Sequence, residues 1–127
     1  MKQTRKHAQE LHEEIKEWIS QVDFIKEELA IYQKQLEEVA AKYTSQDVLA
    51  EVEHFQNQFI RQREVSDEIR HDYKQEENKL VKLAHENPAS EHVLFDDHVD
   101  LRENTDTYVH IYSEVKDEFH KFLAKYM

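Results

Sequence analysis

Three stretches of the chain place core-type residues at an unbroken alternation of three- and four-residue steps. The first runs Leu11, Ile15, Trp18, Val22, Ile25, Leu29, Tyr32, Leu36, Val39, Tyr43. The second runs Val48, Val52, Phe55, Phe59, Gln62, Ser66, Ile69, Tyr73, Glu76, Leu80, Leu83. The third runs Leu94, His98, Leu101, Thr105, Tyr108, Tyr112, Val115, Phe119, Phe122, Tyr126. A 3.5-residue repeat held this long is the pattern of helices that supercoil and pack knob into hole.

Two breaks divide the pattern. Thr44, Ser45 and Asp47 form the first, where Thr44 with Asp47 resembles a capping box and Ser45 is a competing N-cap. Asn87-Pro88 forms the second, because proline cannot continue a helix, and Ser90 followed by Glu91 can start the next one. The expected architecture is all-α: one domain over residues 1–127, an elongated antiparallel three-helix coiled-coil bundle with helices at about 4–43, 46–85 and 90–126. Each helix of this length spans about 60 Å. Composition agrees. Glycine is absent and proline occurs once, which leaves little material for hairpins, while Leu, Ile, Val and Phe supply 32 of 127 residues, enough for a core.

Short connections force antiparallel neighbours, so the layers can be written down. They read Leu11/Leu80/His98, Ile15/Glu76/Leu101, Trp18/Tyr73/Thr105, Val22/Ile69/Tyr108, Ile25/Ser66/Tyr112, Leu29/Gln62/Val115, Tyr32/Phe59/Phe119, Leu36/Phe55/Phe122 and Val39/Val52/Tyr126. Sizes compensate, with Trp18 facing Thr105 and Tyr112 facing Ser66, as dense packing requires.

Charge and composition exclude several functions. The net charge is −11, distributed as −2, −4 and −5 over residues 1–43, 44–87 and 88–127. Such a field opposes phosphate backbones, so no nucleic-acid partner is expected. Cysteine is absent, which removes disulfides, thiolate metal sites and thiol catalysis. No apolar run is long enough to span a membrane. The basic start, Met1-Lys2-Gln3-Thr4-Arg5-Lys6, leads into no apolar segment of a secretory signal. A cytoplasmic protein without a membrane partner is expected. The serines lie in no nucleophile elbow, and no glycine loop could cradle a phosphate, so the chain reads as non-enzymatic.

Functional candidates sit where the repeat is broken. Gln62, Ser66, Glu76 and His98 are polar residues on the seam. Gln62 and Ser66 read as register-setting, since polar seam residues fix helix number and alignment at some cost in stability. Glu76 and His98 lie one layer apart on adjacent helices, so an ion pair between them is expected. The same end of the bundle gathers His7, His12, His85, His92 and His98, with Glu10, Glu13, Glu14, Glu77, Asp96 and Asp97. Imidazole and carboxylate are ligands for zinc and non-haem iron. A metal site centred on Glu76 and His98, completed by His12 or Asp97, is therefore the second functional reading; no other cofactor is expected. Two Glu-x-x-His pairs, Glu51/His54 and Glu68/His71, fall at outward heptad positions and do not extend that site. The pair His110/Glu114 also faces outward, and His120 shares an outward face.

The preferred reading follows from apolar residues off the seam. Phe24 and Ile31 occupy successive c positions of the first helix, where solvent is expected. Ile60, Val81 and Val99 sit at b positions, and Phe95, Val109, Ile111 and Leu123 widen the third helix's stripe into e and g. Phe24 and Ile31 mark an interaction patch for a second copy or another protein. The chain reads as an interaction or scaffold module of homo-oligomeric type.

The segment Glu14-Ile15-Lys16-Glu17-Trp18-Ile19 is similar to the first-helix tryptophan segment of spectrin-type repeats, and Tyr108 or Tyr112 stands where their third helix often has a second aromatic. That resemblance implies three antiparallel helices and a spacer or binding role, and it carries over no functional residue. A departure from the family is expected in its standing as one unit, with no helix continuing into a neighbour. It also looks like small bacterial helical proteins, a likeness that implies nothing about mechanism.

Overall fold

The computed structural model describes residues 2–86 and 91–127, and the side chains of 8–83, 85 and 96–127. Three helices account for nearly all of it: α1, Lys2–Lys42; α2, Gln46–Glu86; and α3, Glu91–Tyr126. Among the described residues there is no strand. The helices pack on one another as an all-α three-helix bundle.

The first turn forms without glycine. Leu49 N–H donates to the Ser45 carbonyl at 3.0 Å, which makes Ser45 the residue that opens α2. Asp47 follows in the first turn, where a carboxylate favours the helix dipole. No described residue has positive φ. The expected Asn87-Pro88 stop and Ser90 start lie outside the described residues.

Every seam position from Leu11 to Val39, from Val48 to Leu83 and from His98 to Phe122 is buried, and Tyr43 and Tyr126 are half-buried. Ala8 extends the α1 seam by one step. The Leu94 side chain lies outside the description. Cross-helix contacts bear out particular layers. Tyr32, Phe59 and Phe119 meet pairwise at ring-centroid distances of 6.2, 5.2 and 4.9 Å. Phe55 meets Phe122 at 4.9 Å, and the Tyr73 hydroxyl reaches Thr105 at 2.6 Å.

Around Ser66 the hydroxyls divide: that of Tyr108 bonds the serine, while that of Tyr112 turns out to Glu28. α1 and α2 run closest together, while α3 stands further off.

Candidate functional site

The end of the bundle that holds the polar seam is organised around Glu14, a residue at a g position of α1. Its Oε1 accepts from His98 Nε2 at 2.6 Å and from Arg102 Nε and Nη2 at 3.0 and 2.8 Å. A carboxylate can only accept, so His98 carries its proton on Nε2. Burial alone pushes the Glu14 carboxyl up, but the hydrogen bonds and charges of Arg102 and His98 outweigh it and hold the group below its ordinary value. His98 is fully buried and stacks on Trp18 at 4.9 Å, and Trp18 also meets Tyr73 at 5.4 Å.

The expected Glu76–His98 pair is thus replaced by Glu14–His98. Glu76 is 4 % exposed, and its Oε1 has no hydrogen-bond partner among the described residues. Burial raises its carboxyl above the ordinary value; Asp97 pushes the same way and Lys79 opposes. Glu76 lines a groove of about 180 Å³ between α2 and α3, with Asp72, Asp97 and Asp100. Its neighbours are engaged elsewhere: Asp97 pairs with Lys79 at 3.6 Å, and His12 Nε2 with Glu77 at 3.2 Å. Of the four expected metal ligands, His98, His12 and Asp97 therefore point to different partners, and none of them pairs with Glu76. Among the described residues no group of three or more His, Asp or Glu side chains is placed to hold a metal ion. The side chains of His7 and His92 lie outside the described residues, and His85 is exposed.

Two heptads along, the Glu14 arrangement recurs. Glu28 accepts from the Tyr112 hydroxyl at 2.5 Å and pairs with Lys116 at 3.0 Å. Burial drives the Tyr112 phenol up, and Glu28 adds to this, so it stays a donor. Each clamp joins an α1 g-position glutamate to an α3 a-position donor and an α3 e-position cation. Sequence reasoning missed both. The signal was available: α1 and α3 are parallel, and parallel coiled helices exchange g-to-e salt bridges. Between the clamps the same heptad positions hold Gln21 and Val109, and one heptad beyond Glu28 they hold Gln35 and Leu123.

The remaining seam hydroxyls form closed local pairs. Ser66 Oγ donates to the Gln62 carbonyl at 2.7 Å, so Tyr108 donates to Ser66 at 2.6 Å. Thr105 Oγ1 donates to the Leu101 carbonyl at 2.8 Å, so Tyr73 donates to Thr105. Burial, offset in part by Thr105, lifts the Tyr73 phenol to about 12. His54, His71 and His110 are exposed; His110 pairs with Glu114, while exposed His120 bonds the Tyr32 hydroxyl at 3.1 Å.

Phe24 and Ile31 are 59 % and 57 % exposed, the largest values among the described large apolar residues. They lie on the flank of α1 next to the g positions that reach α3. Ile60, Val81 and Ile111 are also exposed, so Ile111 does not finish the core, whereas Val109 and Leu123 pack against it. Val99 is half-buried, and the Phe95 side chain is not among those described. No helix of the described residues is long and apolar enough to cross a membrane.

No protein-family model matches the chain, and neither a curated protein nor a solved structure matches it.

Proposed function

We propose that this chain is a non-enzymatic interaction or scaffold module that receives a helix, from a second copy or another protein, on the exposed flank of α1. One observation carries the reading. Phe24 and Ile31 stand more than half exposed one heptad apart, on a helix whose core face is already filled. Two apolar residues at that spacing are the anchors of a helix-in-groove contact. Of the polar seam residues, Ser66, Thr105 and His98 are bonded to neighbouring helices' or their own seam's side chains, which suits a role in alignment. The likeness to spectrin-type repeats implies the same spacer or binding role.

A photo-crosslinking residue in place of Phe24 tests this. It should give a discrete adduct in cells, whereas the same residue in place of exposed His71 should give none. Equal labelling at both positions would contradict a docking face on α1.

The metal-binding reading keeps one supporting observation, the buried Glu76 oxygen beside Asp97 in the acidic groove. Its other donors would have to leave their present partners. Stoichiometric zinc or iron in the untagged protein, lost in His98→Ala, would establish it.

A further inference from the structure

The flank of α1 that carries Phe24 and Ile31 is acidic. Between residues 17 and 38, Glu17, Glu27 and Glu38 are exposed there, against one exposed base, Lys34; Ser20, Gln21 and Gln35 complete that stretch. Glu28 is already paired with Lys116 and takes a hydrogen bond from Tyr112. The whole chain carries −11.

Symmetry then discriminates between occupants. A second copy docked antiparallel on this stripe sets Phe24 against Ile31 and places the two-fold axis between positions 27 and 28. Glu27 of one copy would face Glu27 of the other. A parallel two-fold sets Phe24 on Phe24 and stacks Glu17 on Glu17 and Glu38 on Glu38. Either way acids meet acids within the contact, and like charges at helix-neighbour positions oppose association.

We infer that the α1 stripe takes an amphipathic helix of a different protein, one presenting two apolar anchors seven residues apart flanked by lysine or arginine. The apolar anchors cover Phe24 and Ile31, and the flanking bases pair with Glu17, Glu27 and Glu38. The bulk charge of the chain steers such a helix toward the surface, and the stripe selects where it lands. The partner is laid alongside α1 as a fourth helix. The inference rests on the stripe being a docking face at all.

The test uses two synthetic helices of about 20 residues. Both carry leucines seven residues apart, flanked by lysine in one and by glutamate in the other. Anisotropy titrations against the full chain should show the lysine-flanked helix binding at least about tenfold more tightly. Binding should vanish in Phe24→Glu with Ile31→Glu, and the charge preference should reverse in Glu27→Lys with Glu17→Lys. Equal binding of the two helices overturns the inference. So does undiminished binding of the lysine-flanked helix to the Phe24/Ile31 variant, which would show attraction to bulk charge alone. A chain that sediments as a dimer and becomes monomeric in that variant also overturns it, though the docking face would stand. If neither helix binds and the chain is monomeric, both the inference and the docking face fall.

Discussion

The two ends of this bundle hold the same three helices by different means. Toward the α1–α2 turn the seam is aromatic: Tyr32, Phe55, Phe59, Phe119 and Phe122 interlock, and Tyr43 closes the end by donating to the Tyr126 carbonyl at 3.0 Å. Toward the other end the seam carries Glu76, His98 and Thr105, and alignment depends on Glu14 gathering three donors on one oxygen. The first end is held by burial, which any well-fitting apolar set can supply. The second is held by hydrogen bonds that only one register satisfies. Polar seam residues need not signal chemistry; here His98 ties α3 to α1 through Glu14, and Thr105 ties α3 to α2 through Tyr73.

The largest expected effect lies at the aromatic end. Phe59→Ala removes a fully buried ring that meets Tyr32, Phe55 and Phe119 and should cost about 3–5 kcal/mol in denaturant unfolding, with little dependence on pH. A cost near zero would mean that the rings are not close-packed.

Next comes the polar end. Glu14→Ala takes the acceptor away from His98 Nε2 and Arg102 and should cost about 1–3 kcal/mol. The sign with pH is definite. The Glu14 carboxyl lies below its ordinary 4.5, so its contribution is present above 4.5 and is lost as pH falls through the lower folded value. The Glu14→Ala deficit should therefore shrink on acidification.

Glu76 behaves in the opposite sense. Its folded value is raised above 4.5, so stability is full below 4.5 and declines as pH rises through the folded value. Glu76→Gln should be more stable than the parent near neutrality by about 1 kcal/mol, with the gap closing in acid. A variant that is less stable at every pH would show that the carboxylate has a partner essential to the fold. Glu14 and Glu76 together give the polar end a stability that passes through a maximum, which the aromatic end lacks.

Much of this was legible in the sequence. The seam, the three helices and the layer of Tyr32, Phe59 and Phe119 follow from spacing, because a period of 3.5 residues leaves one face that can be buried. The ion-pair partner of His98 did not follow. Spacing placed Glu76 one layer away, yet the side chain that reaches His98 comes from Glu14, off the seam. A long carboxylate at a g position reaches across a parallel neighbour, and nothing in a list of seam residues shows that. Tyr112 escaped for the same reason: its ring belongs to the core and its hydroxyl to Glu28 at the rim. By contrast, the exposure of Phe24 and Ile31 was plain, since c positions face away from any three-helix core.

The smallest effect on folding is expected at that surface. Phe24→Glu with Ile31→Glu should shift stability by no more than about 0.5 kcal/mol, because both side chains are already in water. A large loss of stability would place them in the core and end their role as a docking face.

The most direct measurement is a chemical-shift map of the full chain titrated with the lysine-flanked helix. The perturbed residues should run from Glu17 to Glu38 on α1 and include Val109 and Leu123 on α3, leaving Glu76 and His98 unmoved. Shifts concentrated at Glu76 and His98, with Phe24 and Ile31 silent, would contradict the account and return the function to the polar end.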